Sequence, residues 1–265
     1  MIKHDIKRIF LSPSFYVAIF LFVIVGILQQ AENVVGQNRM LVSLGVDNFG
    51  FLNRYIYSTC HGAQMHFMLP VISAIPCANL YLQEYKSKYL RNILVRTSRI
   101  KYFLSKIIVS FLCGVFVVLI GEAVLFSICF LIDSTVSIPL IDTQMMSKTN
   151  FIRVLYENNM SLFALFESGN LMLFGGVYSL FTLSFSSVWN NKYLSYSTGF
   201  LFANIVVDEL ARYINTPYVT YCVSIWYLET IQNTYIDVLL QYGAITLISI
   251  IVFAIFFFTR SKTDV

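Results

Sequence analysis

The chain has 265 residues, of which 57% are hydrophobic and only 12% charged, with a formal net charge of +4. Soluble domains average about a quarter charged residues, so a soluble globular class is excluded and an all-α, polytopic membrane protein is indicated. The five cysteines are odd in number and scattered, which argues against a disulfide framework. Cys77, Cys113 and Cys129 read as small core hydrophobes, while Cys60 and Cys222 lie in polar connections where a pairing is open.

In the opening MIKHDIKRIFLSPSF, Ile2, Ile6, Ile9 and Phe10 fall on one helical face and Lys3, Lys7 and Arg8 elsewhere. Residues 1–13 therefore read as an amphipathic helix in the membrane interface, its bases among lipid headgroups, ended by Pro13. Ordinary flanking charge is the plainer alternative. Six apolar segments follow that can cross a hydrocarbon core of about 30 Å: residues 14–29, 65–81, 103–132, 169–189, 193–211 and 236–258. The first reads as an uncleaved anchor, because its basic lead-in is long and no cleavage site of small residues follows it. Pro70 and Pro76 should kink the second. Phe151, Leu155, Leu162 and Leu165 recur at roughly helical spacing, which predicts a short interfacial helix ahead of the fourth span. Residues 213–235 are too apolar for a free loop and too short for two crossings, so an interfacial or re-entrant element is expected there.

Lys and Arg are retained on the cytoplasmic side. With the N-terminus inside, the inner segments carry thirteen Lys or Arg and the outer segments five. Both termini are then cytoplasmic, and residues 1–265 form one transmembrane domain.

Few residues offer chemistry, and the reading assigns no catalytic or metal-ligating residue. The phosphate-binding pattern G-x-x-x-x-G-K-[ST] is absent, so an ATP-driven role needs a partner. His61 and His66 are five apart, a spacing that does not place both on one helix face to share a metal. DELAR at 208–212 resembles the paired-carboxylate motif of intramembrane CAAX-type proteases. It lacks their Glu-Glu pair, and all three histidines lie at position 66 or earlier. An intramembrane enzyme using Glu122 or Asp208 and Glu209 stays open as an alternative, as does a non-transporting scaffold or sensor. Glu122 lies about 24 Å along its helix from Lys106 and should face protein or water. With Ser197 and Asn204 it is a candidate to line a pathway; interhelical hydrogen bonding is the plainer role.

The most distinctive stretch is QEYKSKYLRNILVRTSRIKYFLSK, residues 83–106, with seven Lys or Arg and one Glu. Leu82, Tyr85, Tyr89, Ile93 and Ile100 give one apolar face, which predicts a helix over 83–102 lying along the membrane plane. Its bases suit lipid headgroups or a protein partner; nothing else in the chain supports nucleic-acid binding. The order of parts resembles the type-2 ABC exporter permeases. In that family this segment tends to read Glu, three residues, Gly, one residue, Leu, a Leu-Leu pair, a Pro, a Ser-Arg and a Lys. Here Glu84, Leu90, Ile93-Leu94, Ser98-Arg99 and Lys106 match, while Lys88 stands in place of the Gly and the Pro near Thr97 is missing. The resemblance implies a bacterial cytoplasmic-membrane permease, paired with a second copy or a related permease. It further implies a dimeric ATPase partner that holds the ATP and Mg, with no cofactor in this chain. Residues 83–102 would be the coupling helix, with Glu84, Lys86, Lys88, Tyr89, Arg91, Arg96 and Arg99 meeting the ATPase. The cargo would be amphipathic or apolar: a peptide such as a bacteriocin, a lipid or a drug-like compound.

Overall fold

The computed structural model describes residues 2–44, 50–59, 63–78, 80–87, 89–135, 151–189, 191–207 and 235–263. They are almost wholly helical, with no strand among them. In chain order the helices are α1 (Ile2–Phe10), α2 (Pro13–Leu44), α3 (Phe51–Thr59), α4 (Ala63–Ala74), α5 (Leu80–Lys86), α6 (Tyr89–Arg96), α7 (Arg99–Ile132), α8 (Phe151–Asn158), α9 (Met160–Ser186), α10 (Lys192–Leu201) and α11 (Tyr235–Thr263). A π-helical turn, Phe202–Val207, extends α10.

Four helical stretches are long and apolar enough to cross a membrane: Pro13–Ala31, Arg99–Ile132, Met160–Ser186 and Tyr242–Thr259. They fall on the first, third, fourth and sixth expected segments. The second is interrupted where Pro76 follows the last turn of α4. Proline lacks a backbone donor and biases the preceding residue away from helix. The chain instead closes a tight turn, with the amides of Cys77 and Ala78 both donating to the Ala74 carbonyl. Of the fifth segment, residues 193–207 are described and helical. Residues 213–234, Cys60, Cys222, His61, Asp208 and Glu209 lie outside the described residues, so the re-entrant element, the cysteine pairing and the DELAR reading concern residues the structure does not describe. The expected interfacial helix resolves into two: α8 ends at Asn158, and Asn159 caps α9 by accepting from the Leu162 amide at 3.1 Å.

α9 is the central helix, packed by α4, α7, α8, α10 and α11. Its closest partner is α7, and small residues explain why. Ser110 and Gly114 on α7 face Gly175 and Ser179 on α9, each pair four residues apart, so the backbones approach closely. The two serines bond reciprocally to each other's carbonyls, at 3.1 Å from Ser110 and 2.9 Å from Ser179. A second seam joins α2 to α7, where Phe22 lies over Gly121 and Leu125 over Gly26. Gln29 stitches α2 to both α3 and α4, donating to the Tyr57 carbonyl at 2.6 Å and accepting from the Met65 amide at 2.9 Å.

The end of the bundle where α7 finishes is tied by Asp133. Its carboxylate accepts from Arg54 Nε at 3.2 Å and from the amides of Gly50 and Thr135, both at 3.1 Å. Gly50 has φ of 80°, a left-handed conformation that favours glycine. Burial acts to raise the Asp133 carboxyl, but the hydrogen bonds from Thr135, Arg54 and Gly50 outweigh it and hold the group below its ordinary value. A carboxyl lowered by folding stabilises the fold above its unfolded value, and that contribution is lost as pH falls through the folded value. Thermal melts in detergent should therefore show a smaller loss of stability between pH 6 and pH 3 for Asp133→Asn than for the wild type (pH values are about, set by the carboxyl range). Identical pH profiles would show that this network contributes nothing.

Candidate functional site

The basic segment is not one continuous helix. It folds as α5, α6 and the first turn of α7, with breaks after Lys86 and Arg96. Ser98 causes the second break: its extended backbone stops α6, and its hydroxyl accepts from the Lys101 amide at 3.4 Å to start α7. The expected apolar face is divided accordingly. Leu82 is buried and Tyr85 and Ile93 half-buried, but Tyr89 and Ile100 are exposed.

This out-and-back path brings residues 84 and 106 together. Lys106 is 0% exposed, and its Nζ donates to Glu84 Oε1 at 2.8 Å and to Asp5 Oδ2 at 3.0 Å. Glu84 is 2% exposed. It also accepts from the Tyr102 hydroxyl at 2.6 Å and from the Arg8 guanidinium at 3.1 Å. Arg8 reaches Gln83 Oε1 as well, at 3.1 Å, and the Lys106 ammonium lies 5.2 Å from the centre of the Tyr102 ring. Two carboxylates thus face two cations, and buried charges demand that kind of pairing. The cluster joins three elements distant in sequence: α1, α5 and α7.

Apolar contacts reinforce it. Tyr102 and Phe103 stack on Phe257 and Phe253 of α11, with centroids 5.4 and 5.2 Å apart, and Phe253 meets Tyr81 edge-on at 5.6 Å. On α1, Ile9 is buried and Ile6 and Phe10 pack against the core, beside Val109, Cys113 and Phe116 of α7. The apolar face read from the sequence is therefore largely covered by protein, with Ile2 left exposed. An apolar stripe fits a helix surface as well as lipid, so periodicity alone does not separate the two.

Of the residues expected to meet a partner, Glu84 is inside this cluster rather than on the surface. Lys86, Tyr89, Arg91 and Arg96 are exposed and Arg99 half-buried; Lys88 lies outside the described residues. The expected pathway residues are not gathered. Glu122 is buried and lines a cavity of about 600 Å³ between α3, α7 and α9. Ser197 is exposed and bonds the Tyr193 carbonyl of its own helix at 3.0 Å. Asn204 bridges to the Phe67 carbonyl of α4 at 3.4 Å and to Phe200 at 3.1 Å. Sequence reasoning paired Glu84 with Lys106 only as a motif and missed Asp5, whose sole hint is an acid on a basic amphipathic helix. Among the described residues, no three His, Cys, Asp or Glu gather to hold a metal ion.

The family model described as ABC-2 family transporter protein matches residues 7–202, which takes in α5, α6 and three of the four charged residues of the cluster. No curated protein and no solved structure matches the chain. With the match covering well over half of the sequence and the apolar helices around it, the chain is an integral membrane protein that belongs to the ABC-2 transporter family.

Proposed function

We propose that this chain is the permease subunit of an ATP-driven exporter in a bacterial cytoplasmic membrane. It works with a separate dimeric ATPase that holds the ATP and Mg, and with a second copy of itself or a related permease. In this reading α2, α7, α9 and α11 cross the membrane, α4 with the turn after it and α10 with its π-helical extension supply the other two of six spans, and both termini, α5 and α6 are cytoplasmic. The cargo is amphipathic or apolar: a peptide, a lipid or a drug-like molecule.

The observation that carries the reading is the ionic cluster beneath an exposed basic surface. Arg91 and Arg96 stand outward on α6, while the segment's base is pinned through Glu84 and Lys106 to α7. A displacement of α5 and α6 by a partner is then delivered to a helix of 34 residues, about 51 Å long. Fixed cations on such a lever suit an acidic rim on the ATPase. ATP-driven closure of that partner would shift the populations of inward- and outward-facing states.

The test is co-purification with a candidate partner ATPase. Changing Arg91, Arg96 and Arg99 together to Glu places like charges against the partner, and should weaken the complex by at least about tenfold and abolish stimulation of ATP hydrolysis. If a variant that melts like the wild type keeps both, α6 is not the coupling element.

A further inference from the structure

The cavity between α3, α7 and α9 has features the coupling cluster does not explain. Phe51, Tyr55, Leu119, Phe126 and Met172 supply most of its apolar wall. Phe126 meets Phe51 and Tyr55 edge-on, at 5.6 and 5.4 Å between centroids. Its volume of about 600 Å³ falls in the range that takes up a drug-sized molecule. Into this wall is set Glu122, 3% exposed, with neither carboxylate oxygen hydrogen-bonded. Buried polar atoms are paired in the great majority of cases, and an exception asks for a reason.

Of the other polar groups of the lining, Tyr55, Ser127 and Ser168 have partners and Ser161 is exposed. Ser168 bonds the Tyr55 hydroxyl at 2.6 Å, and Ser127 donates to the Ala123 carbonyl of its own helix at 2.8 Å. No Lys, Arg or His is among the lining residues that the structure describes. Glu167, itself 1% exposed, is near enough for its charge to act on Glu122. The site is thus acidic, aromatic and apolar at once, and lacks a cation. At its rim Phe126 and Leu165 are exposed, which opens it sideways towards lipid.

We propose that this cavity binds an amphipathic organic cation, an alkyl- or arylammonium compound, whose charge pairs with Glu122 and whose apolar body lies against Phe51, Tyr55, Phe126 and Met172. The proposal rests on the transport reading for its purpose and names the class of cargo. Ammonium groups are attracted to aromatic rings as well as to carboxylates. A neutral acyl chain would fit the wall but leave Glu122 unpaired, as would a neighbouring apolar helix.

The test uses the full chain in nanodiscs of zwitterionic lipid, without any ATPase. Binding of benzyldodecyldimethylammonium is measured by equilibrium dialysis against empty nanodiscs, beside an uncharged analogue with carbon in place of nitrogen. Wild type should bind the cation saturably and at least about tenfold more tightly than the analogue. Glu122→Gln, nearly isosteric, should remove that preference while leaving analogue binding unchanged. Leu119→Trp, which fills the cavity and keeps the carboxyl, should weaken both ligands. Equal binding of cation and analogue overturns the proposal and leaves an acyl-chain site; undiminished preference in Glu122→Gln overturns the pairing with Glu122. Absence of saturable binding, with Phe126→Cys forming a disulfide between copies, overturns it in favour of a subunit interface. Because no ATPase is present, cation binding can hold while coupling fails, or fail while coupling holds, so the two readings fall separately.

Discussion

Lys106→Met should be among the most destabilising single substitutions in the protein, at about 3–5 kcal/mol, because removing one partner of a buried ion pair leaves the other charge uncompensated. Here it strands two carboxylates. Asp5 loses an ammonium 3.0 Å away and Glu84 one at 2.8 Å. The aliphatic volume is nearly conserved, so the loss reports charge rather than a cavity. Arg8 still reaches Glu84, which limits the damage at that carboxylate, but Asp5 has no comparable substitute: His4 is 4.0 Å from it and largely exposed. A thermal melt of the detergent-solubilised protein should fall by on the order of 10 °C. The companion variant carrying Asp5→Asn, Glu84→Gln and Lys106→Met should recover much of the loss, since a buried charged cluster replaced as a whole can be nearly neutral. A wild-type melting temperature for Lys106→Met alone would mean that the pairing contributes little. If the triple variant folds but no longer stimulates the proposed ATPase partner, the cluster serves coupling beyond its part in stability.

The four long apolar runs are legible in the sequence because crossing a bilayer demands uninterrupted length, and length and composition suffice to find it. The join between residues 84 and 106 was legible only as two matching positions. Nothing in a one-dimensional pattern says that α5 and α6 fold back to bring them together, or that Asp5 arrives from the far end of the chain. The continuous helix expected over 83–102 failed for a local reason. Apolar spacing carries across two breaks, and Ser98, a strong helix-capping residue, acts as a stop as well as a motif position. At the second span a kink is expected at Pro76, but its position near the end of the apolar run makes it a terminator. Glu122 stood out at once, being an acid in a span. The aromatic cavity beside it depends on α3, which lies between the first two expected spans and carries no span-length apolar run.

The pairing of α7 with α9 had a sequence trace that was available, Ser110 with Gly114 and Gly175 with Ser179, and it makes a prediction in which the sign changes with position. Alanine in place of a helical glycine ordinarily stabilises by about 0.5–1 kcal/mol, because the unfolded chain loses freedom. Gly169 in α9 is in open space, with nothing within 4 Å of an added Cβ, so Gly169→Ala should show that gain. At Gly114 the added carbon would press on the carbonyl oxygen of Gly175 and lie 2.7 Å from the Ser179 Cβ. Backbone cannot rotate aside, so the helices must separate, straining both reciprocal serine bonds; Gly114→Ala should cost about 1–3 kcal/mol. Gly176 is an intermediate case. Its obstacles are the Phe111 ring at 2.8 Å and a Val115 methyl at 2.9 Å, side chains with some freedom to move, so Gly176→Ala should fall between the other two. Thermal melts of the three variants test the order. A Gly114→Ala protein as stable as Gly169→Ala would show that α7 and α9 lie farther apart than the serine bonds require.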